Sequence, residues 1–386
     1  MGALRYYICT AVMVAAIAGF YLGGNYVWLG VGTFPVLMFF DLFLPQDHRD
    51  YGVKEGVSGF IADFPLFLHT FLMIAMYALF VRWFVTMGGP FNAAGEWSWA
   101  QTLGAFLSIA WVSAVPTLPI SHELMHRTHW FPRFCNKILN TFYMDTNRDI
   151  GHIITHHIHL NTPADADTPY RGQLLYPFLW QATKGSYVDA VEGEANRLRN
   201  RGKSPWHPSN KTYMQILLLI GFPLGIGLAA GTWVAGVITL AAMFLAKMIV
   251  EAFNYHQHYG LIRVPGEPVK IYHAWNHLGP IVRPIGVEIT NHINHHEDSY
   301  IPFYALKPHP EGACMPSIFV CFIFGLIPPL WFHFLAKPKL KYWDNNFASP
   351  EEQKLAMQAN ARAGWPMWIE APQAAAQAAP QMVAAE

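Results

Sequence analysis

Charge is scarce in this chain. Asp, Glu, Lys and Arg make up 13% of its 386 residues, and the two signs cancel at 25 each. A neutral chain of this kind carries no footprint for nucleic acid. Cysteine is scarcer still: Cys9, Cys135, Cys314 and Cys321 are scattered and form no C-x-x-C pair. That pattern argues against a disulfide framework, a zinc ribbon and a built-in rubredoxin or iron–sulfur module. Any electrons the chemistry needs must come from another protein.

What is abundant is apolar length. Hydrophobic residues make up 53% of the chain and aromatics 15%, and the mean hydropathy is +0.20. This profile is that of a membrane protein. The first apolar run, "YYICTAVMVAAIAGFYLGG", has one basic residue ahead of it, Arg5, and a second apolar run directly behind it. It reads as a retained transmembrane helix, not a cleaved signal. Six stretches are long enough to span: 6–24, 26–44, 64–87, 99–120, 213–230 and 232–253. A further stretch, 315–336, is interrupted by Pro328-Pro329 and is expected to be re-entrant or interfacial.

Basic residues orient these spans. The segment 121–212 holds 11 of the 25 Lys and Arg, the loop at 45–63 holds Arg49 and Lys54, and the loop "GGPFNAAGEWS" holds none. The positive-inside rule then places both termini and the 121–212 segment in the cytoplasm. The expected fold is an all-α membrane protein with six transmembrane helices and a cytoplasmic helical cap. Four helices occupy 1–120 and two more 213–253, with cap segments over 121–212 and 254–370; the low-complexity tail, 371–386, is expected to be disordered.

The two cap segments are where the histidines lie. Of 19 histidines, seven fall in 122–159 and seven in 256–296. "HELMH" sets His122 and His126 one helical turn apart, a spacing by which two imidazoles share a metal. "HIITHH" sets His152 and His156 the same way and adds His157. "HINHH" pairs His292 with His295 or His296. Adjacent helical residues diverge by about 100°, so each His-His doublet points one ring at each of two neighbouring metals. Two such doublets in one cap predict a dimetal site. Glu123, Asp149, Glu251, Glu288, Glu297 and Asp298 are the carboxylates expected behind it to offset its charge. His69, deep in a span, is a candidate wall of a substrate channel.

"HELMH" also fits the H-E-x-x-H pattern of a zinc peptidase, with Glu123 as base, but that reading leaves about six further histidines without a role. A metal transporter would place ligands near the middle of its spans, and these spans carry few ionisable groups, with Asp41, His69 and Arg82 as the exceptions noted.

In order, "HELMH", "HIITHH", "NYHQHYGL" (254–261) and "NHINHH" after four apolar spans resemble the integral-membrane alkane hydroxylase and xylene monooxygenase family. The resemblance continues through "HAWNH" (273–277) and 315–332, and "PTLPISHELMHRTHWFPR", "DADTPYRGQ", "EITNHINHH" and "AGWPMW" fit the xylene monooxygenase branch. It implies a non-haem diiron centre of nine histidines: His122, His126, His152, His156, His157, His258, His292, His295 and His296. Spacing alone does not point to His258. Arg127, Gly151, Thr155, Gln257, Ile293 and Asn294 depart from the alkane hydroxylase pattern without removing a ligand. The departures favour alkyl-aromatic substrates over linear alkanes. The family further implies C–H hydroxylation with O₂, two protons and two electrons from a separate NADH-dependent flavin/iron–sulfur reductase, in a bacterial inner membrane. No haem, flavin or iron–sulfur cluster is expected in this chain. A linear-alkane hydroxylase and a fatty-acid desaturase or hydroxylase are the alternatives with the same centre.

Overall fold

A computed structural model describes residues 2–91 and 94–369; the tail expected to be disordered lies outside them. Among the described residues every regular element is a helix, and pairing is limited to two isolated bridges. A hairpin of α1 (Ile8–Leu22) and α2 (Leu29–Phe43) is followed by the long α3 (Val57–Met87), and α4 (Trp99–Ala114) runs on into α5 (Thr117–His126). The first cap segment then carries α6 (Trp130–Thr141), α7 (Arg148–Gly151), a π-turn (His152–His156), α8 (His157–His159) and α9 (Leu175–Arg199). A second hairpin of α10 (Thr212–Ala229) and α11 (Trp233–His258) returns to the cap. There follow α12 (Val282–Ile285), α13 (His292–Glu297), α14 (Ile318–Leu326), α15 (Pro328–Leu330), α16 (Lys337–Asn346) and α17 (Pro350–Arg362).

Six helical stretches are long and apolar enough to cross a membrane: Gly2–Leu22, Gly24–Phe43, Val57–Met87, Trp99–His126, Thr212–Ala229 and Trp233–His258. The number is as expected, but the ends differ where it matters. The third stretch starts at Val57 instead of 64. The fourth and sixth run past 120 and 253, so "HELMH" closes the fourth span, as its sequence suggested, and His258 ends the sixth. At nine residues, α14 is about 14 Å long, too short for a bilayer core of about 30 Å.

With an even number of spans ahead of each, the two cap segments emerge on one side and interlock. Arg171 of the first segment bonds Asp344 through two nitrogens (2.7 and 2.6 Å), Asn360 (3.0 Å) and the Gly260 carbonyl (2.9 Å). His273 meets Glu352 at 2.8 Å. Asp41, at the end of α2, accepts the Ile281 and Val282 amides at 2.9 Å each and the Ser317 hydroxyl. It thereby joins the second span to α12 and to the start of α14.

Sequence reading passed over one ionisable group in the spans. Lys247 of α11 is 1% exposed, and its ammonium lies 2.5 Å from Asp145 and 2.6 Å from Glu251. Arg148 reaches the same two carboxylates at 3.1 and 3.4 Å. A lone lysine would be costly at this depth; paired, it ties α11 to the cap.

Candidate metal centre

Three local devices aim the imidazoles. Pro116 interrupts the fourth span, and the restarted helix α5 is fixed from the side: Asn136 donates to the Ser121 carbonyl at 2.8 Å, and the Ser121 and Tyr143 hydroxyls meet at 2.7 Å. The second box is not the α-helical repeat that its spacing suggested. His157 N–H bonds His152 O, closing a π-turn. An extra residue per turn brings positions five apart together, so His152 aligns with His157 and not with His156 in the grouping below. At the third site α11 ends on His258, and the chain turns through Gly260 with φ of 67°. A Cβ there would lie 2.7 Å from Leu340, so glycine is required.

Ahead of the last box the backbone is strained. Val287 and Glu288 both hold positive φ, 46° and 58°, a region non-glycine residues avoid. The Glu288 carboxylate is clamped by Arg283 at 2.8 Å. Asn291 then donates to Lys307 O at 2.6 Å and begins α13.

Two groups of imidazoles converge from these elements. His122, His126, His152, His157 and His295 place one ring nitrogen each within 4.8 Å of all the others, as do His156, His258 and His296. Nε2 of His152 lies 2.8 Å from that of His122 and 3.2 Å from that of His157. Nitrogens bound to one ion at about 2.1 Å stand roughly 3–4 Å apart, so the spacing fits a metal. Each doublet divides between the groups: His157 and His295 belong to one, His156 and His296 to the other. Their rings are 6.1 and 6.0 Å apart within the doublets. His126 Nε2 is buried with no protein hydrogen-bond partner, as suits a nitrogen reserved for an ion. The His292 side chain lies outside the described ones; its backbone opens α13.

The carboxylate nearest the cage is one that sequence reading missed. Asp165 accepts from His156 Nδ1 at 2.9 Å, and also from Thr168 Oγ1 (2.6 Å) and the Asp167 amide (3.0 Å). Held this way, His156 keeps its proton on Nδ1 and turns Nε2 toward His258 and His296, the carboxylate–histidine arrangement common behind metals. Burial pulls the His156 imidazole down, yet Asp165 outweighs it and leaves the ring above its ordinary pKa. Burial, with His122, His157 and His156 around it, holds His152 far below its ordinary value. His157 is likewise held down by burial and His126. Both rings are therefore neutral near pH 7, with lone pairs available. The "DAD" of "DADTPYRGQ" was the available signal: two acids beside a histidine box.

The carboxylates singled out from sequence have other partners. Glu123 pairs with Arg127 (2.6 Å), which also holds Asp63 (2.9 Å). Asp149 pairs with Lys137 at 2.5 Å, and Glu288 pairs with Arg283 and Arg5. Asp298 and Glu297 are exposed, and Asp298 accepts the Tyr300 amide. Glu251 is two links away, through Arg148 to Asp167 at 3.8 Å. Near neighbours explain much of this: Arg127, four residues along, captures Glu123, and Lys137, Arg283 and Arg148, on helices of their own, capture Asp149, Glu288 and Glu251.

Beneath the cage lies an apolar chamber of about 470 Å³. Leu118 and Pro119, one turn before His122, line one end together with Ile289 and Thr290. The far wall holds Phe34, Trp111 and Phe319, whose rings meet edge-on: Phe34 lies 5.1 Å from Trp111 and 5.6 Å from Phe319. Trp111 is pinned by Nε1–H to Thr33 Oγ1 at 2.9 Å. His69 is not in this lining. Its ring is buried and bonded to Thr117 Oγ1 at 2.8 Å.

The fatty acid desaturase family pattern matches residues 97–310. The xylene/toluene monooxygenase hydroxylase component XylM of Pseudomonas putida is 52% identical over 96% of this chain and 98% of its own. The chain belongs to the integral-membrane alkane hydroxylase and xylene monooxygenase family. Alkane 1-monooxygenase 1 of Pseudomonas aeruginosa is 30% identical over 75% of this chain and 76% of its own. Alkane 1-monooxygenase 2 of Alcanivorax borkumensis is 26% identical over 68% of each. As a member of this membrane monooxygenase family, the chain is an integral-membrane oxidoreductase with histidine clusters fit to hold metal.

Proposed function

We propose that this protein is the hydroxylase component of a diiron monooxygenase acting on the methyl group of alkyl-aromatics of the toluene, xylene and cymene type. The observation that carries the reading is the placement of an apolar chamber one helical turn beneath two groups of converging imidazoles. In this reading His122, His126, His152, His157 and His295 hold one iron, and His156, His258 and His296 the other. His292, the ninth histidine that the family resemblance implies, is taken as a further ligand of the pair. When bound, the iron pair supplies the redox chemistry that puts one oxygen atom of O₂ into a C–H bond, which redox-inactive zinc cannot do.

The protein's own residues do the rest. The chamber wall selects an apolar ring, keeps water away and presents a methyl group at the Leu118–Thr290 end. Asp165 fixes the proton on His156 Nδ1 and offsets part of the charge of the irons. Among the described residues no titratable side chain lines the chamber, so substrate positioning uses no acid or base from them. Electrons come from a separate NADH-dependent flavin/iron–sulfur reductase, consistent with a relative named as a hydroxylase component. The cap and both termini face the cytoplasm of a bacterial inner membrane, in line with the basic residues of 121–212.

The alkane 1-monooxygenase relatives favour one second reading, a linear-alkane hydroxylase with the same centre. Product analysis separates the two. The enzyme with reductase, NADH and O₂ receives a mixture of p-xylene, p-cymene and octane. Benzylic alcohols as main products fit the first reading; octanol as main product overturns it.

A further inference from the structure

One wall of the chamber is formed by α14. Ile318, Phe319, Phe322, Ile323 and Leu326 of this helix line the chamber. Two of them, Ile323 and Leu326, are the most exposed of the described lining residues, at 39% and 54%. At these positions the wall is one side chain thick. Elsewhere the lining comes from α2, α4, α5, α11 and the 282–290 segment, whose described lining residues are buried or half-buried.

This helix buries one face through Ile318, Phe319 and Cys321, and hydrogen bonds fix both of its ends. At its start the Ser317 hydroxyl bonds the Asp41 carboxylate and also caps the Phe319 amide at 3.3 Å. At its other end Pro328 and Pro329 bring no N–H, and the Leu330 amide turns to Ile327 O. The continuing chain therefore offers no donor to the Leu326 carbonyl, which in apolar surroundings needs one. The Tyr176 hydroxyl, from the first turn of α9 in the other cap segment, supplies it at 3.0 Å. Between these ends Gly325 lets the backbone rest on the His256 ring: a Cβ there would come within 2.4 Å of it. One end of the helix is thus joined to the second span and the other, through a single side-chain hydrogen bond, to the cap.

We propose that α14 is the gate through which a membrane-dissolved hydrocarbon reaches the chamber, and that Tyr176 is its latch and so a determinant of the substrate size admitted. The inference rests on the hydrocarbon reading of the chamber. A ring bearing only a methyl group passes by rotation of Ile323 and Leu326. A bulky para substituent requires the helix itself to move, and the Tyr176–Leu326 bond opposes that movement. Tyr176 acts through α14 and is a positioning residue.

The test uses the iron-loaded protein in lipid nanodiscs with its reductase, comparing wild type, Tyr176→Phe and Tyr213→Phe. The last removes a hydroxyl that bonds Trp206 O at 3.1 Å away from the gate. Two quantities are read: amide hydrogen exchange over 318–330, and the ratio of kcat/KM for 4-tert-butyltoluene to that for toluene. In Tyr176→Phe the segment exchanges faster and the ratio rises roughly 3- to 10-fold, the population change that one neutral hydrogen bond supports. Iron content stays at the wild-type value, and Tyr213→Phe changes neither quantity. Unchanged exchange in Tyr176→Phe overturns the latch. Faster exchange with an unchanged ratio overturns the gate. If wild type turns over neither hydrocarbon, the functional reading falls instead, and the exchange measurement still decides the latch.

Discussion

The imidazole cage and the apolar chamber are separated by one turn of α5, from His122 to Leu118, and they are built by opposite rules. In the cage the side chains are polar and mostly buried, and His156 is aimed by a specific hydrogen bond to Asp165. In the chamber nearly every side chain is apolar, and position is set by packing, as in the Phe34–Trp111–Phe319 wall. Buried polar groups have few acceptable arrangements, whereas apolar packing accepts many side chains of suitable volume. On the proposed reading the difference separates two tasks: the cage would determine whether oxygen chemistry occurs, and the chamber which molecule receives it.

Substitution should break the comparison most severely in the cage. His258→Ala is expected to lose iron from the second group and bring turnover to background, measured by metal analysis and product formation on the same sample. Full iron with wild-type turnover would remove His258 from the site. Asp165→Asn keeps the shape but removes the negative charge on His156 Nδ1, and should weaken iron retention by about 10- to 100-fold. Chelator competition measures this directly, and an unchanged affinity would make Asp165 a purely structural partner.

Changes in the chamber should be gentler and different in kind. Trp111→Leu shortens the far wall and frees Thr33, so iron stays and the product ratio moves. Longer para-alkyl toluenes or octane should gain on p-xylene by about 10-fold, the discrimination a few methylenes confer in an apolar pocket. Lost iron in this variant would show that the two regions are coupled after all. His207→Ala marks the small end of the scale. The His207 ring is half-buried and bonds Ser209 of its own loop, so activity and iron should match wild type, with a stability change within about 0.5 kcal/mol.

The sequence was informative where a periodic rule governs the residues. Apolar runs revealed six spans, since length against bilayer thickness is a one-dimensional property. The splay of adjacent histidines pointed to two groups, and His156-His157 and His295-His296 do divide that way. The π-turn was not legible: "HIITHH" reads as an ordinary helical box, and only the backbone aligns His152 with His157. The carboxylates were not legible either. Glu123 lies beside His122 in sequence but belongs to Arg127, while Asp165 reaches His156 through a loop that no periodicity describes. The chamber and its latch depend on contacts such as Tyr176 to Leu326, 150 positions apart, and no local pattern encodes them.

The central claim is that these histidines hold two irons. Metal analysis of the protein, purified from iron-replete cells in mild detergent and quantified against amino-acid analysis, tests it most directly. The account predicts two irons per chain and negligible zinc. One zinc per chain, or a single iron unaffected by His258→Ala, would contradict it.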